Sequence, residues 1–279
     1  MTTVRGVHHF AFSTAEASRE VDFHEGVLGL RTVRREKVTL RGRESELLAF
    51  GVTDDPADGV LLAYCLGRGG PAGRQGSNGP KSANLSVPPG SLLYWQARLY
   101  DAHVDSVAEE RFGVKRLSFA HPSGVPYTLV EADTRAPAAP AGTREETFAI
   151  SGLHSVTISL TDVRETHAFL VDLLDAEHVE QDLASGYYQL GADAAAAGIE
   201  LLHEPYRAPG TWTYAVGTPH HIGLDASDAG EREQLRGRLL DAGYADVSPV
   251  VGGDLFSSVW VRTPGGTLAD LLCPQVAVA

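Results

Sequence analysis

The sequence of 279 residues has little of what marks several protein classes. Its two cysteines, Cys65 and Cys273, are too few for a disulfide framework or a Cys-rich zinc cluster. Both stand in apolar runs, where they are interpreted as buried thiols in a reducing cytosol. No run approaches the roughly 20 apolar residues that a membrane span needs, and the N-terminus lacks the apolar core of a signal peptide. The sequence therefore predicts a cytoplasmic protein without a membrane partner.

Basic residues are also scarce, since 23 Lys and Arg stand against 36 Asp and Glu. The resulting formal net charge of −13 repels phosphate backbones, so nucleic acid is not an expected partner. Apolar residues make up 43% of the chain, which is enough for a full core and excludes disorder throughout. A small-molecule partner fits these properties, and a homo-oligomer is left open.

A segment rich in Pro and Ala divides the chain into similar halves. The segment DTRAPAAPAGTREET, at 133–147, has no apolar period and is interpreted as a linker between residues 1–132 and 148–279. Each half contains two units in which a strand is followed by a helix and further strands, starting near Val7, Ser82, Leu153 and His220. Such units predict an α+β fold in which paired sheets curl around a cavity and helices cover the outside.

Two histidine pairs and one acidic residue carry the candidate chemistry. His8–His9 and His220–His221 lie on the first strands of two different units. Because adjacent strand residues point to opposite faces, one member of each pair can face a cavity. Asp270 stands in the apolar strand GGTLADLLC, where a carboxylate is costly to bury unless it is paired or binds metal; an exposed edge strand is the alternative. Two imidazoles and one carboxylate form a facial triad that leaves positions open for substrate and O2.

The sequence resembles the vicinal oxygen chelate superfamily of glyoxalases, extradiol dioxygenases and bleomycin-resistance proteins. Within it, the chain is most similar to the ring-cleaving hydroquinone dioxygenases. The motifs that carry the resemblance are GVHHF at 6–10, GVLGLR at 26–31, PPGSLLYW at 88–95, RFGV at 111–114, LLHEPYRAPGTW at 201–212, TPHHIG at 218–223 and VRTPGG at 261–266. The resemblance implies four βαβββ modules forming two open barrels, with the first and last modules enclosing one metal.

The resemblance also implies roles for the candidate residues. The second histidine of each pair binds metal in that group, which carries over to His9 and His221. The third ligand there is a Glu, and Asp270 stands at its position. The expected metal is Fe(II), with Mn(II) as the alternative. His8 and His220 are then expected to orient the ligands or to move protons.

Three polar groups that are usual around the metal in this group are missing. Trp260 stands where a Tyr is common, Gly253 where an Arg is common, and Ala11 where a Thr is common. An indole can only donate a hydrogen bond, whereas a phenol can also give up a proton. In the half without metal, Ser155 and Thr128 occupy the positions of His9 and Asp270. The substrate is therefore expected to differ from simple hydroquinone.

Aromatic residues near the second histidine pair and the last hairpin are interpreted either as core or as the wall of a pocket for an aromatic substrate. They are Trp212, Tyr214, Phe256 and Trp260. The leading hypothesis is a ring-cleaving dioxygenase that uses one metal, an aromatic or enolic small molecule and O2. The alternative is a metal-dependent isomerase, lyase or hydrolase, and a third hypothesis is a drug-sequestering binding protein.

Overall fold

The computed structural model describes residues 4–40, 42–132, 146–193, 196–211 and 214–274. Within these ranges the strands are β1 (Val4–Thr14), β2 (Arg31–Leu40), β3 (Arg43–Gly51), β4 (Leu61–Cys65), β5 (Gly79–Val87), β6 (Ser106–Arg111), β7 (Val114–Ala120), β8 (Pro126–Glu131), β9 (Gly152–Leu160), β10 (Glu177–Gln181), β11 (Ser185–Gln189), β12 (Gly198–His203), β13 (Thr218–Ala226), β14 (Val251–Gly252), β15 (Phe256–Arg262) and β16 (Leu268–Pro274).

The helices follow the first strand of each unit. They are α1 (Ala17–Val21), α2 (Leu92–Asp101), α3 (Arg164–Ala168) and α4 (Ala229–Asp241). Helix α1 continues as π-helical turns over Asp22–Val27, and α3 does so over Phe169–Leu173. Short 3-10 turns occupy Pro56–Asp58 and Glu146–Phe148. No helix in the described part of the chain is both long enough and apolar enough to span a membrane.

Each unit is thus a βαβββ module, and the predicted α+β fold is confirmed. The first strands β1, β5, β9 and β13 contain the four predicted starting points. The division at the linker stays a prediction, because residues 133–145 lie outside the described ranges.

The sheets pair modules that are not neighbours along the chain. One sheet has the order β14-β15-β16-β13-β1-β4-β3-β2 and therefore joins modules one and four. The other has the order β10-β11-β12-β9-β5-β8-β7-β6 and joins modules two and three. The junction in the first sheet is the antiparallel pair β1·β13, which brings His9 opposite Gly223. The prediction that the first and last modules share one barrel is confirmed.

The core lies between the sheets and under the helices. One apolar cluster takes side chains from every module, among them Phe10, Leu85, Ile158 and Leu271. Helical residues such as Phe23, Trp95, Phe169 and Leu239 belong to the same cluster. Helices α1–α4 contribute no residue to the cavity between modules one and four that is described below, so that cavity is formed by strands and loops.

Candidate metal centre and active site

A cavity of about 700 Å³ occupies the curl of the sheet formed by modules one and four. Its walls come from strands of both modules, and they include His8, His9, His221, Trp260 and Asp270. A volume of this size lies in the range of sites that hold small molecules. The pairing of β1 with β13 therefore brings the two histidine pairs, far apart in sequence, to one place.

The second histidines of the two pairs meet at this cavity. Nε2 of His9 lies 3.2 Å from Nε2 of His221, and both side chains are buried. Burial lowers the pKa of each imidazole well below its usual value, so both are neutral. Two nitrogen lone pairs this close repel each other unless a proton or a cation lies between them. The pair is thus in the protonation state that a metal ligand requires.

Glycine makes room for the first of these rings. A Cβ atom on Gly223, the residue opposite His9 in the β1·β13 ladder, would overlap the imidazole of His9. The TPHHIG motif therefore supplies a ligand candidate at His221 and, two residues later, the space that the other candidate needs.

His8 determines which ring nitrogen of His9 carries the hydrogen. Nε2 of His8 lies 2.9 Å from the carbonyl oxygen of Ala57, which can only accept, so Nε2 carries the hydrogen. A neutral His8 then accepts through Nδ1 from Nδ1 of His9, at 3.1 Å. This leaves Nε2 of His9 with a free lone pair towards His221. In the other pair, Nδ1 of His220 lies 2.7 Å from Nδ1 of His221, so His220 can hold His221 in the same way.

Strand alternation alone predicts the position of His8 incorrectly. The ladder between β1 and β13 shifts register between Val7 and His9, which leaves His8 as an extra residue. Such a bulge turns neighbouring side chains to one face. Both His8 and His9 therefore line the cavity, whereas His220 stacks on Tyr214 with ring centroids 3.6 Å apart.

Asp270 lines the same cavity as the two imidazoles and is a buried carboxyl group. It pairs with Trp260 across β15·β16 and with Gly223 across β13·β16. Oδ1 has no hydrogen-bond partner, and burial raises the pKa of the group to about 7 against the opposing effects of Ser258 and Arg232. Across the described ranges, Asp270 does not belong to any set of three ligand atoms lying within 4.8 Å of one another. The carboxylate therefore shares the cavity with the two histidine nitrogens but does not converge on both.

The predicted pocket residues within the described ranges line this cavity. Phe256 meets His8 edge to face at 4.9 Å between ring centroids, and Trp260 meets His221 in the same way at 4.9 Å. Tyr214 also lines the cavity, and Trp212 lies outside the described residues. Sequence reasoning missed Tyr64, whose ring centroid is 5.9 Å from that of His221. Burial raises the pKa of its phenol, and its only sequence signal is a lone hydroxyl in the apolar strand LLAYC.

The comparisons with known proteins cover almost the whole chain. No family model matches it. The chain is 29% identical over 271 residues to chlorohydroquinone/hydroquinone 1,2-dioxygenase of Sphingobium indicum, covering 96% of this chain and 84% of that protein. It is 26% identical over 267 residues to MhqO of Bacillus subtilis, whose naming as a ring-cleaving dioxygenase is provisional; there the coverage is 95% and 83%.

Solved structures share the fold. A Bacillus subtilis protein, provisionally named a dioxygenase, superimposes with a TM-score of 0.87 at 24% identity, covering 99% of this chain and 87% of that one. Glyoxalase I of Zea mays superimposes with a TM-score of 0.68 at 12% identity, covering 96% and 92%. Glyoxalases and ring-cleaving dioxygenases are both members of one superfamily. This chain shares the fold of that superfamily, the vicinal oxygen chelate superfamily.

The barrel formed by modules two and three has different side chains at the positions equivalent to the candidate metal site. At the positions of His9 and Gly223 it has Ser155 and Asn84, which are paired across β5·β9, and Nδ2 of Asn84 donates to Oγ of Ser155 at 2.8 Å. Glu200 accepts from Ser155 at 2.8 Å and from Arg116 at 2.7 Å, all three being buried. A buried ion pair between Arg116 and Glu200 thus takes up the interior of this barrel.

A second polar group, which sequence reasoning missed, lies between module one and module two. Glu20 and His24 come from the first helix, and His121 comes from the turn between β7 and β8. Each offers a ligand atom within 4.8 Å of the others, and all three are buried. By distance they could hold one metal ion. The detectable signal was the i, i+4 spacing of Glu20 and His24, which places both on one helix face.

Hydrogen bonds around this second group favour a polar bridge over a metal site. The backbone N–H of Ser123 donates to Nδ1 of His121 at 3.0 Å, so the proton of a neutral His121 sits on Nε2. That nitrogen lies 2.9 Å from Oε2 of Glu20 as an ion-pair contact, without the geometry of a hydrogen bond. Nε2 of His24 is 3.0 Å from the hydroxyl of Tyr127, and Thr14 donates to the carboxylate of Glu20. The nitrogen that would face a metal thus carries a hydrogen, unlike Nε2 of His9.

Proposed function

We propose that this protein is a mononuclear metal-dependent dioxygenase that cleaves the ring of an aromatic substrate. The observation that carries the proposal is the meeting of two neutral imidazole Nε2 atoms, 3.2 Å apart, at the wall of a cavity sized for a small molecule. The relationship to a hydroquinone 1,2-dioxygenase supports the same chemistry. The metal would be held by His9, His221 and Asp270, whose unpartnered Oδ1 supplies a free oxygen ligand.

Fe(II) is the metal that this donor set and chemistry favour, with Mn(II) as the alternative. When bound, Fe(II) would offer coordination positions to a substrate oxygen and to O2 and would make the substrate hydroxyl more acidic. A small displacement of Asp270 would be needed, since its oxygens do not converge on both nitrogens. The shorter carboxylate, in place of the usual Glu, accounts for this gap.

The surrounding side chains would position the ligands and exclude water. His8 and His220 hold the imidazoles of His9 and His221 through their Nδ1 atoms, and His8 is itself anchored on the backbone at Ala57. Trp260 and Phe256 form an aromatic wall on which a flat ring can stack. The indole N–H of Trp260 can donate to a substrate oxygen but cannot act as an acid.

The alternative is a metal-dependent isomerase, lyase or hydrolase. The observation that favours it is the changed surroundings of the metal, with Asp270 shortened and Trp260 in the position of a phenol. Such an enzyme would use the metal to stabilise an enolate and would not consume O2.

Oxygen consumption separates the two functions. The protein would be reconstituted anaerobically with Fe(II), and O2 uptake would be measured with hydroquinones, catechols and enolic ketones. We expect uptake and loss of aromatic absorbance with at least one dihydroxy aromatic compound. Turnover of an enolic compound without O2 uptake would instead establish the alternative.

A further inference from the structure

Strand β2 forms one side of the candidate active site. Its ladder with β3 shifts register between Thr32 and Arg34, so the strand carries a bulge beside the cavity. As a result Val33 and Arg34, although adjacent in sequence, both line the cavity. Bulges that turn a side chain towards a site are common next to active sites.

Arg34 differs from its basic neighbours on β2 in having no hydrogen-bonded acid. Arg31 donates to Asp54, Arg35 to Glu46 and Lys37 to Glu44. Among the described residues, the acid that forms an ion pair with Arg34 is Glu36, with 3.6 Å between Nε and Oε1 and no hydrogen bond. Within the same residues the buried Nε of Arg34 has no hydrogen-bond partner, while the side chain as a whole is 24% exposed.

Arg34 shares the cavity with the metal-ligand candidates. His8, His9 and His221 line this cavity together with Arg34, and so does Tyr64. A guanidinium group in this position would hold a bound anion close to, but apart from, the metal.

We propose that Arg34 binds a carboxylate substituent of the aromatic substrate, so that the preferred substrate is a dihydroxy aromatic acid instead of neutral hydroquinone. This inference rests on the proposed function for the identity of the reacting group. A guanidinium fork pairs with a carboxylate through two parallel hydrogen bonds, and its planar form suits a planar aromatic acid. A single-ring acid fits in about 700 Å³ alongside the metal ligands.

The acidic side chains of the cavity do not prevent Arg34 from binding a substrate carboxylate. Glu36, the nearest, has a side chain that is 42% exposed and can turn to water when a substrate carboxylate replaces it. Asp254 and Asp270 line the same cavity and would repel an anion placed near them. A substrate with its hydroxyl oxygens at the metal and its carboxylate at β2 would pair that carboxylate with Arg34 and keep it away from Asp254 and Asp270.

The test compares an acid with its neutral amide. Binding of 2,5-dihydroxybenzoate and 2,5-dihydroxybenzamide to the Fe(II)-loaded protein would be measured by anaerobic calorimetry. We expect the wild type to bind the acid at least about tenfold more tightly, as charge-assisted hydrogen bonds provide. Arg34→Gln should reduce the preference to about twofold or less, and Arg34→Lys should keep part of it.

Lys37→Gln is the matched control, because Lys37 lines the same cavity but is paired with the exposed Glu44. This variant should keep the preference for the acid. Equal binding of acid and amide by the wild type would overturn the proposal, and so would a preference that survives in Arg34→Gln. The binding measurement does not require catalytic turnover of either compound. An Arg34-dependent preference without O2 uptake would refute the dioxygenase alone, and O2 uptake without that preference would refute the role of Arg34 alone.

Discussion

At the scale of single residues, the site depends on how neutral nitrogen atoms are held at close range. Nε2 of His9 carries no hydrogen because His8 donates its own hydrogen to the carbonyl of Ala57 and accepts the hydrogen on Nδ1 of His9. The ring can occupy this place because Gly223 has no side chain. Residues that never touch a metal therefore decide whether His9 can bind one.

Gly223→Ala tests this dependence without altering a ligand. The added methyl group would overlap the imidazole of His9 and displace it, so metal affinity should fall by roughly 10- to 100-fold, as for other changes around ligands. Affinity would be measured by competition with a chelator. Gly237→Ala in helix α4, where a Cβ meets nothing within 4 Å, is the control and should leave the affinity unchanged. Equal affinity of Gly223→Ala and the wild type would contradict the assigned geometry.

Asp270→Glu tests the length of the carboxylate. The oxygens of Asp270 do not lie within 4.8 Å of both imidazole nitrogens, and one more methylene would reach further towards them. We expect Asp270→Glu to retain the metal and Asp270→Asn to lose it, because the amide lacks the charge. Turnover of the native substrate should fall in Asp270→Glu, since a shift of about 1 Å in the metal costs on the order of a hundredfold in rate. Loss of metal in Asp270→Glu and retention in Asp270→Asn would exclude Asp270 as a ligand.

At the scale of elements, the same strand position carries different chemistry in the two barrels. On β1 the positions are His8 and His9, and on β9 they are His154 and Ser155. His154 keeps the contact to its neighbour, with Nδ1 3.0 Å from Oγ of Ser155, but it faces a barrel filled by Glu200 and Arg116. Burial lowers the pKa of His154 to about 4.

This depressed pKa predicts a stability that depends on pH. His154 stays neutral in the folded protein down to about pH 4, whereas in the unfolded chain it takes up a proton near its usual pKa of 6.5. Above pH 6.5 the burial of neutral His154 should therefore leave the free energy of unfolding undiminished. As the pH drops towards 4, this residue should lower the free energy of unfolding by about 3 kcal/mol at most. His154→Gln should show a shallower loss of unfolding free energy between pH 7 and pH 4.5 in denaturant titrations. Identical slopes for the variant and the wild type would contradict the assignment.

Periodicity in the sequence predicts the positions of helices and strands better than it predicts the orientation of individual side chains. The four modules can be predicted from repeated patterns of strand, helix and Pro-Gly turn, because each local pattern specifies one type of secondary structure. The orientation of His8 and Arg34 could not be predicted, because each lies at a bulge that breaks the two-residue alternation of its strand. Bulges depend on the partner strand, which a linear pattern does not specify.

At the scale of the whole molecule, the chain crosses between two sheets, and one buried group links them where they meet. Glu20 and His24 belong to module one, in the barrel with the candidate metal site, and His121 belongs to module two, in the other. Nothing in the sequence near His121 indicates this contact, since its partners are on a distant helix. The group therefore resembles the candidate metal site of His9, His221 and Asp270 in composition, but it differs from that site in place and hydrogen bonding.

A pair of variants distinguishes the two groups. His121→Ala would leave the carboxyl group of Glu20 buried without its nearest nitrogen, so the unfolding free energy should fall by about 3–5 kcal/mol. Metal content should stay at one ion per chain, because the cavity ligands are untouched. His9→Ala should instead lose the metal. Metal analysis of the purified proteins and denaturant titration check both expectations. Loss of metal from His121→Ala together with its retention in His9→Ala would move the metal to the interface between the barrels, because only the group of Glu20, His24 and His121 would then explain it.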